Sequence, residues 1–271
     1  MNAALPSGDA LARLVAALDR HARLAIAVSG GVDSLTLAHV AHRHSRAAVS
    51  MYHATGPAVP AAAGMRVAAH AKRYGWPLVL LDAGEQNDPR YRANPVDRCY
   101  YCKSNLYARV RDATTDVIAS GTNCDDLADF RPGLRAAAER DVVHPYVEAG
   151  IGKADIYALA AKLGLDDLER LPAQPCLASR VETGIALSAT DLAFIDVVET
   201  RLLAVLGREA VLRCRVTHAG IVIELAATSD SGAFDRAREI GADACEREGR
   251  VFAGVRPYAK GSAFLHRVAN E

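Results

Sequence analysis

Apolar positions along the chain follow two rhythms, one of strands and one of helices. Leu24-Ala25-Ile26-Ala27-Val28 is an unbroken apolar run of strand length, which predicts a strand buried on both faces. Ahead of it, Leu11, Leu14, Val15 and Leu18 recur at helical spacing, and Asp9 is placed to cap that first helix. Behind it, Leu35, Leu37, Ala38 and Val40 continue on a helical pattern. Ala47–Ala54 predicts a second strand and Thr55–Pro60 a turn-rich loop; the helix that follows, to about Tyr74, turns Val67, Ala71 and Tyr74 inward and is stopped by Gly75. Pro77–Asp82 predicts a third strand and Asp116–Ser120 a fourth, separated by a polar, irregular stretch at 84–98 and by a loop entering a helix at 98–106. Lys153–Leu163 is helical and ends at Gly164, and the proline-stiffened loop 171–180 follows. This alternation predicts an α/β fold with a doubly wound, mostly parallel sheet, whose ligands sit at the carboxyl ends of the strands.

Beyond Arg180 the rhythm changes. Asp191–Leu206 predicts a long helix with Leu192, Ile195, Val198, Leu202 and Val205 on one face. Val211–Val216 and Ile221–Leu225 are short strands joined by Thr217-His218-Ala219-Gly220, a hairpin signal, followed by a helix at Phe234–Ile240 and a last strand at Arg250–Val255. The expected organisation is therefore two domains: residues 1–180, then a small α+β domain at 181–271.

Composition narrows the function classes. The chain has 271 residues, 51% hydrophobic and 24% charged, with a formal net charge of zero. That balance gives no global electrostatic case for nucleic-acid binding. No apolar run has the length of a membrane span, and the stretch from Met1 to Asp9 lacks the basic and apolar regions of a signal peptide. A cytoplasmic protein without membrane or nucleic-acid partners is expected, its six cysteines reduced, catalytic or metal-bound rather than paired.

The first chemistry lies at Ser29-Gly30-Gly31-Val32-Asp33-Ser34, between the first strand and its helix. Two glycines suit a tight turn, and a turn opening into a helix N-terminus offers backbone N–H groups and the positive end of the dipole to an anion. Ser29 and Ser34 add hydroxyls, and Asp33 could hold a Mg²⁺ bridging phosphate oxygens. The hexapeptide has neither the Lys of a Walker A loop nor the spacing of a dinucleotide loop. It resembles the PP-loop of ATP pyrophosphatases, which implies an ATP site cleaving between the α and β phosphates. Gly121-Thr122-Asn123 with Asp125 and Asp126 lands at the carboxyl end of the fourth strand, beside that loop's own strand end.

Cys99 and Cys102 form a C-x-x-C, which by itself is half a zinc site, a redox pair or part of an iron–sulfur site. No second C-x-x-C exists to close a zinc site. Cys176 returns in a later loop, and three thiolates can hold a cubane cluster by three irons and leave the fourth open. Cys124, Cys214 and Cys245 read as structural.

Together these residues carry a resemblance. The hexapeptide, Asn94-Pro95 with Arg98-Cys99-Tyr100-Tyr101-Cys102-Lys103, Gly121-Thr122-Asn123 with Asp125-Asp126, Arg131-Pro132-Gly133-Leu134 and Pro175-Cys176-Leu177-Ala178-Ser179-Arg180 stand in order over most of the first domain. The chain resembles the LarE family, ATP-dependent sulfur transferases of nickel-pincer nucleotide synthesis. The resemblance implies that ATP adenylylates a carboxylate of a pyridinium biscarboxylic acid mononucleotide, and that sulfur then displaces AMP to leave a thiocarboxylate. In one mode of the family a single cysteine, matching Cys176, gives up its own sulfur. In the other, Cys99, Cys102 and Cys176 hold a 4Fe-4S cluster carrying an extra sulfide, from sulfide or a cysteine-derived donor. All three cysteines are present here, which favours the cluster mode. The resemblance also implies a homo-oligomer, with a hexamer as one form. On the same footing Lys103, Ser179 and Arg180 are expected at the phosphates, and Glu199, Arg213, Arg215 and Glu224 at the substrate.

The chain departs from the family in places. Val181-Glu182-Thr183-Gly184 stands where Ile-Pro-Tyr-Gly is usual, His53-Ala54-Thr55-Gly56 replaces a serine-rich turn, and no acidic residue stands near Gly64. The competing readings are a tRNA thiolase, which would want zinc ribbons or a basic RNA-binding domain, a non-catalytic ATP-binding sensor, and an amide-forming synthetase, which would need an ammonia source.

Overall fold

The computed structural model of the chain describes residues 9–129, 131–207, 209–259 and 261–263, so the stretch ahead of Asp9 lies outside it. In chain order run α1 (Ala10–Leu18), β1 (Arg23–Ala27), α2 (Val32–His44), β2 (Ala48–Thr55), α3 (Ala61–Tyr74), β3 (Leu78–Asp82), α4 (Pro89–Arg92), α5 (Arg98–Ala113), β4 (Val117–Ser120), α6 (Gly133–Ala138), α7 (Pro145–Glu148) and α8 (Lys153–Lys162). Then follow α9 (Ala189–Leu206), β5 (Leu212–Thr217), β6 (Gly220–Leu225), α10 (Ser231–Arg247) and β7 (Phe252–Pro257). Among the described residues no helix is long and apolar enough to cross a membrane. The chain divides into two compact units, one of Met1–Glu85 with Cys99–Ala173, the other of Gln86–Arg98 with Gln174–Glu271.

The first unit is built on a four-stranded sheet in the order β3-β2-β1-β4, every pair parallel. Successive residues of a strand point to opposite faces, and the sequence uses both. Leu24 and Ile26 of β1 join Leu35, Leu37, Met51, Val67 and Leu159 in one core cluster, while Ala25 joins Tyr52, Leu106, Tyr107, Val110 and Ile118 in another. Apolar clusters on both faces are why β1 reads as a continuous apolar run. β3 is one edge of the sheet, and Leu80 there is 61% exposed.

The second unit carries a three-stranded sheet, β5-β6-β7. β5 and β6 form the expected hairpin, closing at Thr217 opposite Gly220, and β7 adds in parallel to β6. α10 is a full 17-residue helix rather than the short one that Phe234–Ile240 suggested. On α9, Leu192, Ile195, Val198 and Leu202 are buried, but Val205 is exposed near the helix end. Asp9 precedes α1 without capping it; its carboxylate instead accepts from Lys162. The stretch 84–98 is more ordered than its composition suggests. It holds a short 3-10 turn and α4, whose N-cap Asp88 accepts from the Arg90 N–H. Asn94, fully buried, donates to the carbonyls of Glu182 and Ile185 at 2.8 and 2.9 Å and so knits residues 86–98 into the second unit.

Candidate active site

At the carboxyl edge of the parallel sheet, β1 passes into α2 through Val28-Ser29-Gly30-Gly31. Gly30 has φ +84, and a Cβ on it would lie 2.6 Å from the Ala63 carbonyl oxygen. Both the left-handed backbone and the close approach of α3 require glycine there. The turn is tied by Ser34, whose Oγ accepts from the Ser29 N–H at 3.0 Å, lies 3.2 Å from Ser29 Oγ and donates to the Gly31 carbonyl. Arg66 of α3 donates to the Gly30 carbonyl at 2.5 Å. β4 delivers Gly121 against the same helix start; a Cβ there would come within 3.0 Å of the Ser34 nitrogen. Ser29, Gly30, Gly31, Asp33 and Ser34 are thus assembled with Gly121 in one place, at the N-terminus of a 13-residue helix. That arrangement suits an anion.

Every acid of this site has a partner from the chain. Asn123 and Asp126 form a reciprocal capping box, Asp126 also pairs with Arg131 at 2.7 Å, and Asp125 accepts from the Lys153 N–H at 2.6 Å. Lys153 reaches Asp33 with its ammonium 2.7 and 2.6 Å from the two carboxylate oxygens, and Asn123 approaches Oδ1 at 3.4 Å. The Tyr157 ring lies 5.3 Å from that ammonium. Tyr146, its phenol pushed well up by burial, donates to the Asp33 carbonyl at 3.0 Å. Thr122 stands 3.0 Å from Ser120 Oγ, which lies 2.8 Å from Nδ1 of His144, an imidazole whose pKa burial lowers.

Lys153 is the site residue that sequence reasoning missed. Its signal was a lysine at the first position of a helix, where the dipole disfavours a cation, behind the glycines of Gly150-Ile151-Gly152. Cys99 and Cys102 lie one turn apart at the start of α5, so their side chains leave one face, both half-buried. Lys103, beside them, runs its stem under Gly133, where a Cβ would sit 2.9 Å from Lys103 Cγ, and its ammonium is 5.8 Å from the Tyr107 ring.

In the second unit Cys176 is exposed at the start of the 3-10 turn Leu177–Arg180. Arg180 is buried and turned inward: Nε and Nη2 each donate at 2.9 Å to Glu199, while Nη1 donates to the carbonyls of Pro175 and Cys176 and to Ser179 Oγ. Glu199 also accepts the Cys214 N–H at 3.0 Å. Arg215, buried too, donates to the Ser179 carbonyl and to Glu224, which Arg256 and Ser262 also reach. Arg213 shares that strand face, its guanidinium 5.6 Å from the Tyr258 ring and its pKa lowered by burial. The residues expected at phosphate and substrate here form two buried ion-paired sets that grip the Cys176 turn. Cys214 and Cys245 are buried and Cys124 half-buried, and burial pushes all three thiols up. Among the described residues no cysteine is in a disulfide, and no three His, Cys, Asp or Glu side chains are grouped as around a metal ion.

No protein-family profile matches the chain. An uncharacterized protein of Synechocystis is 35% identical over 174 residues, 63% of this chain and 65% of that protein, just under two thirds of its length. An uncharacterized protein of Methanocaldococcus jannaschii is 30% identical over 184 residues, 66% of this chain and 69% of its own. The pyridinium-3,5-bisthiocarboxylic acid mononucleotide synthase of Lactiplantibacillus plantarum is 29% identical over 196 residues, 70% of this chain and 71% of its own. The chain belongs to one family with the Methanocaldococcus protein and is similar to the Lactiplantibacillus synthase.

Proposed function

We propose that the chain is an ATP-dependent sulfur transferase acting on pyridinium-3,5-biscarboxylic acid mononucleotide, for synthesis of the nickel-pincer cofactor. The observation that carries the reading is the loop at Ser29–Ser34, held open at the N-terminus of α2 by Gly30 and Gly121. The name of the Lactiplantibacillus relative supplies the substrate class. A free carboxylate resists nucleophiles because oxide would have to leave. In the first half-reaction a carboxylate oxygen attacks the α-phosphorus of ATP, the bond to the β-phosphate oxygen breaks, and pyrophosphate departs with the electron pair. Sulfide then adds to the carbonyl carbon of the mixed anhydride, and AMP leaves. Backbone N–H groups and the α2 dipole stabilise the negative charge gathering on pyrophosphate.

Cys99, Cys102 and Cys176 would hold the 4Fe-4S cluster. Their chemistry fits: all three are thiols outside disulfides, and thiolate is the usual ligand of such clusters. When bound, the cluster supplies an open iron for sulfide. Arg180 and Glu199 fix the turn that presents Cys176. Asp33 does not fit the part of Mg²⁺ ligand as it stands, because Lys153 holds both of its oxygens; Mg²⁺ is expected to arrive on the phosphates of ATP. A cytoplasmic homo-oligomer with no nucleic-acid partner completes the proposal.

Purification without air, with iron and sulfide analysis, tests it. Brown protein with about four irons per chain is expected, together with pyrophosphate release that needs the pyridinium substrate. Colourless protein in which Cys176 alone loses sulfur by mass spectrometry would establish the sacrificial mode. No pyrophosphate release with that substrate would overturn the reading.

A further inference from the structure

Asp33 heads α2 at the phosphate loop, yet its carboxylate is fully engaged: the Lys153 ammonium stands 2.7 Å from Oδ1 and 2.6 Å from Oδ2. The pair is only partly buried, with side-chain exposures of 31% for Lys153 and 28% for Asp33. Three further contacts fix the lysine. Its own N–H donates to Asp125, the Tyr157 ring lies 5.3 Å from its ammonium, and Gly152 before it stands so close to Asp125 that a Cβ there would meet the carboxylate at 3.2 Å. Asp33 is held in turn, its carbonyl accepting from Tyr146 and its carboxylate approached by Asn123. A lysine at the head of α8 faces the unfavourable end of that helix dipole. It is kept there by contacts that aim its charge at the loop.

We infer that Lys153 is the side chain that meets the phosphates of the nucleotide, and that Asp33 is a positioning residue for Lys153 rather than a metal ligand. This rests on the ATP reading above and deepens it. A carboxylate that grips an ammonium at both oxygens fixes the last rotatable bonds of a long side chain before the nucleotide arrives, so less ordering is required on binding. An ammonium has three donors, so phosphate oxygens can take those that Asp33 leaves, without the pair separating. The fixed charge adds to the α2 N-terminus in stabilising the departing pyrophosphate.

The two roles for Asp33 separate in a titration of ATP into protein kept in EDTA, where a metal ligand has nothing to hold. Lys153→Met is expected to weaken binding there by about tenfold or more, the scale of one charged hydrogen bond. Asp33→Asn should also weaken it, and the double variant should match Lys153→Met within about twofold, since coupled residues are not additive. Lys153→Arg, which keeps the charge, should restore most of the loss, and its melting temperature separates a binding defect from misfolding. Asp33→Asn that binds ATP normally in EDTA and changes only the Mg²⁺ dependence of pyrophosphate release would overturn the inference, as would strict additivity. Wild-type protein that binds no ATP with or without Mg²⁺ would overturn the ATP reading itself, and this inference with it.

Discussion

Gly30 shows how much a single atom can decide. Its φ of +84 is a region where side chains are strained, and a Cβ added to it would stand 2.6 Å from the Ala63 carbonyl oxygen. Gly30→Ala is therefore expected to destabilise the chain by about 1–3 kcal/mol and to abolish pyrophosphate release. Gly121→Ala meets a softer limit, 3.0 Å from the Ser34 nitrogen at ordinary backbone angles, and should cost less on both counts. Urea unfolding and a pyrophosphate assay on the same preparations read the two effects. Equal losses in both variants would show that the loop tolerates no Cβ at either point for a shared reason, not for the left-handed backbone.

Among the elements, the 3-10 turn Leu177–Arg180 buries only Leu177 and Ala178 as apolar side chains and is also held by two buried guanidiniums, Arg180 and Arg215. Removing one partner of a buried pair leaves the other charged and unsolvated, so Arg215→Met should cost about 3–5 kcal/mol in urea unfolding. A loss of a few tenths would show that Glu224, fully buried, is satisfied by Arg256 and Ser262 alone. This turn also marks where sequence reading stops. The strands and α2 were legible because an apolar run and its period report burial directly, and the Ser29–Ser34 loop because its glycines and hydroxyls sit together in sequence. Glu199, Arg180, Arg215 and Glu224 carry charges that normally stay in water, and nothing local announces that they pair inside. Lys153 was hidden for the same reason: its meaning depends on Asp33, 120 positions away. Asn94 likewise looked like loop punctuation, although its amide joins segments about 90 positions apart.

At the scale of the molecule, net charge is zero at neutral pH, and one response to acid comes from inside. His39 on α2 is buried beside Tyr74, its Nδ1 has no hydrogen-bond partner among the described residues, and its pKa is pushed down to about 4, by burial first and then by the nearby His44, Arg43, His70 and His42. The unfolded chain takes that proton near the ordinary value of 6.5 and the folded chain near 4. The His39 contribution to stability is therefore complete above pH 6.5, is lost as pH falls toward 4, and changes no further below it. Urea midpoints measured from pH 7 to pH 4 should fall steadily, and His39→Leu should flatten the slope. An unaltered slope would assign the acid sensitivity to other groups.

The excursion of residues 86–98 has a consequence for how the chain is made. A ribosome releases Asn94 long before Glu182 and Ile185, whose carbonyls it must find. The parallel sheet, its four strands all emerged by Ser120, has its sequence in hand while this segment still waits for its anchor. Cys99 and Cys102 follow directly on that waiting segment and Cys176 emerges much later. The nascent chain thus carries the Cys99 and Cys102 thiols through a long interval before Cys176 exists.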